Sequence, residues 1–200
     1  MTRILMAGTG SGGERNFEQT VRNPVDLERY TDALTASRYR ALKKKHGRFA
    51  RVWGFEAKRG TAAKAADELR PGDLAWFHGA GYVHTMAEVV TVFDSMMFDR
   101  ALWANSPYPA SGFIFTMTEP GEVQISKVAI NELLGYKPRN TWQQNRLLDE
   151  EPSKLLISHL DDLTGLSRGG SASHTEGKLG QLCPTCHQIM PLTGVCDNCS

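Results

Sequence analysis

The sequence predicts an α+β fold: a small mixed β-sheet, open or closed into a barrel, flanked by short helices and followed by a separate cysteine-bearing tail. Three observations carry this. Asp73–His78 and Tyr82–Phe93 are rich in β-branched and aromatic residues, and Gly79-Ala80-Gly81 between them is short enough for a hairpin. The other helix and strand patterns are short and do not alternate as β-α-β, which argues against a doubly wound parallel sheet. All four cysteines lie in the final eighteen residues, beyond a stretch (165–180) with five glycines, three serines and no aromatic residue.

The elements follow in chain order. A short apolar strand precedes Gly8-Thr-Gly-Ser-Gly-Gly13. Asn16–Leu27 reads as extended, because Pro24 opposes a helix. Leu27–Lys45 reads as helical with a break near Thr35, a fitting N-cap for Arg38–Lys45. Arg48–Phe55 is a strand, and Thr61–Leu69 an alanine-rich helix stopped by Pro71-Gly72. After the hairpin, Ser95–Pro109 reads as a long connection. Ser111–Met117 and Val123–Val128 read as strands with Pro120-Gly121 as the turn. Short helices are expected at Ala129–Leu134, Thr141–Leu148 and Ser153–Leu160. The implied organisation is a main domain over 1–164, a linker over 165–180 and a small tail module over 181–200.

Composition excludes some classes. The 200 residues are 40% hydrophobic and 22% charged, ordinary for a globular chain. No stretch approaches the ~20 apolar residues of a membrane helix. The apolar start is too short for a signal peptide. A cytoplasmic protein without a membrane partner is expected.

The tail reads Cys183-Pro-Thr-Cys186, nine residues, then Cys196-Asp-Asn-Cys199. Each Cys-x-x-Cys turn brings two sulfurs to one ion, and two turns complete a tetrahedral set, so a structural zinc is expected on Cys183, Cys186, Cys196 and Cys199. Such a site has no open position for chemistry. A redox dithiol would need a βαβ context that is missing. His187 reads as a surface residue. A ribbon of this size folds on its metal and docks nucleic acid or another protein.

Gly8-x-Gly10-x-x-Gly13 formally matches a dinucleotide fingerprint, but Pro24 limits any helix after it and no βαβ unit follows. His78, His84, His159 and His174 are scattered. No catalytic constellation is legible, and the pairing of histidines and asparagine that an HNH nuclease places among its cysteines is missing. A different asymmetry stands out. Arg38–Arg51 holds seven Lys or Arg and no acid. Arg40, Lys43, Lys44, Lys45 and Arg48 are therefore candidate phosphate contacts, with a solvated helix face as the alternative.

Aromatic placement completes the reading. A strand ends Val52-Trp53-Gly54. Gly72-Asp73-Leu-Ala-Trp-Phe77 and Met86-Ala-Glu-Val-Val90 follow, then Leu102-Trp103, then Phe113-Ile-Phe115. From Arg48 to Val128 this order resembles the YTH and EVE branch of the PUA-like superfamily. Leu102-Trp103 and Leu133-Leu-Gly-Tyr136 look most like its prokaryotic members in modification-dependent restriction. The resemblance implies a modified-base reader with an aromatic cage. Trp53 matches the first wall, Trp103 the second, Phe98 is a weaker candidate wall, and Gly54 offers backbone groups to the base edge. The family's base-contacting asparagine has only Asn16 and Asn23 as counterparts, and the third wall is unassigned. Trp76 and Trp142 read as packing residues. The implied partner is DNA or RNA carrying a modified, most simply methylated, base, with an effector protein in a restriction or defence system. The alternatives are a compact nuclease or base-processing enzyme, and a zinc-ribbon adaptor for proteins.

Overall fold

The computed structural model describes residues 1–10, 13–57, 60–106, 110, 112–142 and 145–165. The linker beyond 165 and the four-cysteine tail lie outside the described residues, so the zinc expectation does too. The first compact unit spans Met1–Leu166.

Eight strands form one mixed sheet: β1 Ile4–Gly8, β2 Val25–Asp26, β3 Phe49–Gly54, β4 Leu74–Gly79, β5 Tyr82–Asp94, β6 Phe113–Met117, β7 Gly121–Ser126 and β8 Arg146–Leu147. The path runs β2-β3-β6-β5-β4-β1-β8, with β7 also on β5. Only β1 and β4 pair in parallel among the described strands, Ile4 opposite Leu74. The other pairs are antiparallel. The helices are α1 Gly13–Phe17, α2 Ala36–His46, α3 Gly60–Glu68, α4 Met96–Leu102, α5 Lys127–Leu133, α6 Glu150–Ser158 and α7 Leu160–Thr164.

The hairpin between β4 and β5 forms as expected. Gly79 faces Tyr82, and Ala80 and Gly81 both take positive φ, +45° and +87°, the pattern of a type I′ turn. Thr35 caps α2, its hydroxyl accepting from the Arg38 N–H at 3.2 Å.

Four expectations are corrected. Asn16–Leu27 is not extended throughout: α1 runs on into a π-helical turn, Glu18–Arg22, and the chain becomes extended only at Asn23, where Pro24 disfavours helix in the residue before it. Ser95–Pro109 contains α4, whose N-cap Ser95 accepts from the Phe98 N–H at 3.3 Å. Pro120-Gly121 is no hairpin turn, since β6 and β7 pair with successive parts of β5 and Thr118 N–H donates to Glu88 O between them. Within Thr141–Leu148, residues 146–147 form β8 on β1, Leu5 opposite Leu147. The apolar Leu147-Leu148 pair is worth more covering that edge than in a helix turn.

Both faces of the sheet are covered, and side-chain alternation sorts the core. On β1, Ile4 and Met6 join Trp76, Ile130 and Leu156, while Leu5 and Ala7 join Phe77, Leu69 and Phe115. On β3, Ala50 and Val52 pack with Leu42, Phe98 and Ile114. Trp53 turns to the opposite face, with Phe17, Phe77 and Phe115. That alternation positions the candidate site.

Candidate nucleic-acid interface

The site is built at the end of β3. Trp53 is 4% exposed and meets Phe17 and Phe77 edge to face, with ring centroids 6.2 and 5.5 Å away. Gly54, next along the strand, turns its side-chain position to the other face. Trp103, at the C-terminal cap of α4, lies there. A Cβ on Gly54 would sit 3.0 Å from Cη2 and Cζ3 of Trp103 and 2.6 Å from Phe113 O. Glycine is therefore what lets the Trp103 ring lie on the strand. The two indoles, arriving from opposite faces of β3, meet at its end with centroids 6.4 Å apart and planes at 73°.

This geometry places Trp53, Gly54 and Trp103 together. It corrects the image of two walls facing each other across a base. A base between parallel rings needs about 7 Å, two van der Waals contacts of ~3.5 Å, whereas these rings form a closed corner. Both corner N–H groups, Trp53 Nε1 and Trp103 Nε1, are buried without a partner among the described residues. The Trp142 indole donates to Asn131 Oδ1 at 2.7 Å, and Trp76 is fully buried, its Nε1 likewise without a partner among the described residues.

Phe98 is corrected as a wall. It is fully buried, stacked 6.2 Å from Phe93 and edge-on to Tyr30. As the third residue of α4 it points into the core that seats the helix.

The two asparagines separate. Asn16, half-buried on α1, donates from Nδ2 to Ser106 Oγ at 3.3 Å. This ties α1 to the loop after Trp103, where Ser106 N–H also bonds Trp103 O at 2.9 Å. Asn23 is spent on capping, its Nδ2 donating to Glu18 O at 2.7 Å.

Three neighbours were not legible beforehand. Gly13 approaches Trp53, since a Cβ there would lie 3.7 Å from Cη2. Phe17 carries the contact onward to His84, 5.1 Å away. His84 Nε2 lies 3.0 Å from Thr9 Oγ1, and its Nδ1 lies 2.9 Å from Thr85 Oγ1. Thr9 spends its hydroxyl proton on His78 O, so a neutral His84 carries its proton on Nε2. Burial, aided by Arg22, pushes its pKa down and keeps it neutral. The signal was the glycine turn after β1, which folds α1 back over the sheet.

The basic stretch is exposed but partly neutralised. Arg48 grips Asp26 through Nε at 3.0 Å and Nη2 at 2.7 Å. Lys43 lies 3.5 Å from Glu28, and Lys45 Nζ donates to Val90 O at 2.9 Å. Arg40 and Lys44 have no ion-pair partner among the described residues. Acids distant in sequence thus fold against a run that contains none.

Among solved structures, the chain is similar to the N-terminal domain of Thermococcus gammatolerans McrB bound to m5C DNA. The TM-score is 0.59 at 16% identity, over 80% of this chain and 98% of that one. The two share a fold. Looser likenesses are the YTH domain of Zygosaccharomyces rouxii MRB1 in complex with N6-methyladenosine RNA (TM-score 0.46, 12% identity, 78% of this chain and 85% of that one) and Rpa0253 from Rhodopseudomonas palustris (0.40, 14%, 86% and 100%). No protein-family model and no curated protein matches the chain. No described helix is long and apolar enough to cross a membrane.

Proposed function

We propose that this protein reads a modified base in nucleic acid, accepting one base turned out of its strand at the Trp53–Trp103 corner. The observation that carries this is the corner itself: two indoles meeting over a glycine, with neither N–H partnered among the described residues. The fold shared with a domain bound to m5C DNA supports it.

The chemistry suits such a ligand. A methylated base offers a flat π face and an added apolar group. One indole face stacks on the base, worth roughly 1–3 kcal/mol, while the second, set at a steep angle, meets the methyl edge. The Asn16 amide, which now donates to Ser106 Oγ, turns to the base edge on binding, and Gly54 brings the backbone close to it. A base inside a duplex must be flipped to arrive there, whereas a single strand presents it directly. Arg40 and Lys44 are the readiest phosphate contacts. Lys43, Lys45 and Arg48 join by exchanging their present partners for phosphate.

The four cysteines of the tail supply a thiolate set that suits structural zinc, and we assign the tail a docking role beside the reader. An effector of modification-dependent restriction or defence is the partner we assign to such a reader, in whose sequence no catalytic set is legible.

The test is a binding panel with the full chain at stated salt. It uses oligonucleotides carrying one 5-methylcytosine, one N6-methyladenine or neither, each as single strand and duplex. A preference for a modified strand that Trp103→Ala abolishes is expected. Equal affinity for all strands, unaltered by Trp103→Ala, would refute the reading.

A further inference from the structure

The corner that would hold a base is occupied by the protein's own side chain. At 6.4 Å and 73° the two indoles leave no room for a base between them. The six-membered end of Trp103 presses on the one backbone position, Gly54, that has no side chain to keep it away. We propose that Trp103 is a movable plug: in the free protein it closes over the end of β3, and it must swing out to admit a ligand to Trp53 and Gly54 and then return against that ligand as the second wall. The ligand half of this rests on the base-reading function above; the movement does not.

Four observations carry the inference together. First, the contact joins a residue inside a paired strand to one at the end of a helix. Trp53 sits on a paired strand, Trp53 opposite Phe115, and is nearly sealed. Trp103 is only half-buried and begins a loop, its own N–H still bound to Asp99 O at 3.0 Å. Second, in the closed state two buried indole donors, Trp53 Nε1 and Trp103 Nε1, have no partner among the described residues, a condition that costs free energy in an interior. Swinging Trp103 outward returns its N–H to water. Third, the packing beneath the ring is close: a Cβ at residue 54 would lie 3.0 Å from two Trp103 ring carbons and 2.6 Å from Phe113 O, so the ring rests on a position that has no side chain. Fourth, a hydrogen bond crosses the mouth: Asn16 Nδ2 donates to Ser106 Oγ at 3.3 Å, long for its type.

An unpaired indole alone would not suffice. Trp76 Nε1 is also unpaired, yet that ring is fully buried mid-strand on β4, with no glycine under it and no loop to carry it away. It is the internal reference for a tryptophan that cannot move.

Solvent exchange of the four indole N–H groups tests this, read by NMR on the 15N-labelled full chain with signals assigned from single Trp→Phe variants. If Trp103 opens locally, its N–H should exchange on the order of a hundredfold faster than that of Trp76, which needs a larger unfolding. Asn16→Ala, by removing the tie to Ser106, should accelerate Trp103 further and leave Trp76 unchanged. A single-stranded oligonucleotide carrying one 5-methylcytosine should then shift the Trp53 and Trp103 signals and slow their exchange. Exchange of Trp103 as slow as that of Trp76, with or without Asn16, overturns the plug, whatever the oligonucleotide does. Fast exchange of Trp103 with no response to any modified or unmodified strand keeps the plug and removes the base-reading function.

Discussion

Gly54→Ala isolates the corner with one methyl group. The new Cβ would lie 2.6 Å from Phe113 O and 3.0 Å from two carbons of Trp103. The carbonyl belongs to the segment paired with β3, where Gly54 faces Ile114, so it yields only by loosening the sheet edge. The ring, at a helix end, yields by shifting a few tenths of an ångström or more off the strand. Overpacking of this kind costs about 1–3 kcal/mol. For a chain of this size that lowers the melting temperature by roughly 2–4 °C per kcal/mol. The displaced ring also removes one wall, so affinity for a modified strand should fall roughly tenfold to a hundredfold. Affinity for an unmodified strand should hold, because Arg40 and Lys44 are untouched. The assay pairs a thermal melt with fluorescence anisotropy on modified and unmodified oligonucleotides. A lowered melting temperature with an unchanged affinity ratio would make Gly54 a strand-packing residue and refute the corner. An unchanged melting temperature would refute the steric reasoning.

Other outcomes follow from the same geometry. Trp53→Ala should cost about 3–5 kcal/mol of stability, as a sealed core aromatic does, whereas half-buried Trp103→Ala should cost less and act mainly on the modified-to-unmodified ratio; calorimetry beside the binding panel separates the two. Replacing Arg40 and Lys44 together by Ala should weaken binding to all sequences alike and reduce the slope of log affinity against log salt by roughly one to two, while Lys43→Ala, already paired with Glu28, should do less. Burial pushes the pKa of His78 down to about 4, so the unfolded chain binds the extra proton between about pH 6.5 and 4; stability is complete above pH 6.5 and falls by roughly 3 kcal/mol toward pH 4, a slope that His78→Phe should flatten in melts across that range. Cys196→Ser should release the zinc expected at one equivalent per chain, by metal analysis of reduced protein, without moving the main melting transition.

Much of the fold was legible because local chemistry and tertiary placement agree. Tyr82–Phe93 alternates and is β-branched, Ala80-Gly81 supplies the two positive φ values, and Thr35 caps as a threonine should. What failed was decided by partners far away. Arg146-Leu147 carries no strand pattern of its own and becomes β8 because β1 has an open edge beside Leu5. The helix of α4 was hidden because Met96-Met97 at its start are exposed and only Phe98, Asp99 and Leu102 are buried, too short a face to read as periodic. At the candidate site, Trp53, Gly54 and Trp103 could be named as neighbours from the family resemblance. Their mutual angle could not, because it depends on which face of β3 each ring approaches. Phe98 was misplaced for the same reason: one helix turn separates a core residue from a corner residue.

The charge arrangement bears on where selectivity resides. The run Arg38–Arg51 suggested a strong phosphate-tracking surface, but Asp26 and Glu28 fold against it and hold Arg48 and Lys43. These ion pairs are exposed, and exposed pairs contribute little to stability, so a polyanion can replace the carboxylates. It gains less from doing so than it would from bare cations, because each arginine or lysine recruited sets a carboxylate loose beside a phosphate. Arg40 and Lys44 escape that penalty. The sequence-independent attraction is therefore weaker than the residue count implies. For the modified-base reader proposed above this is the useful direction. Strong backbone binding would hold the protein on the great excess of unmodified strand, whereas modest attraction leaves the Trp53–Trp103 corner to decide which encounters last.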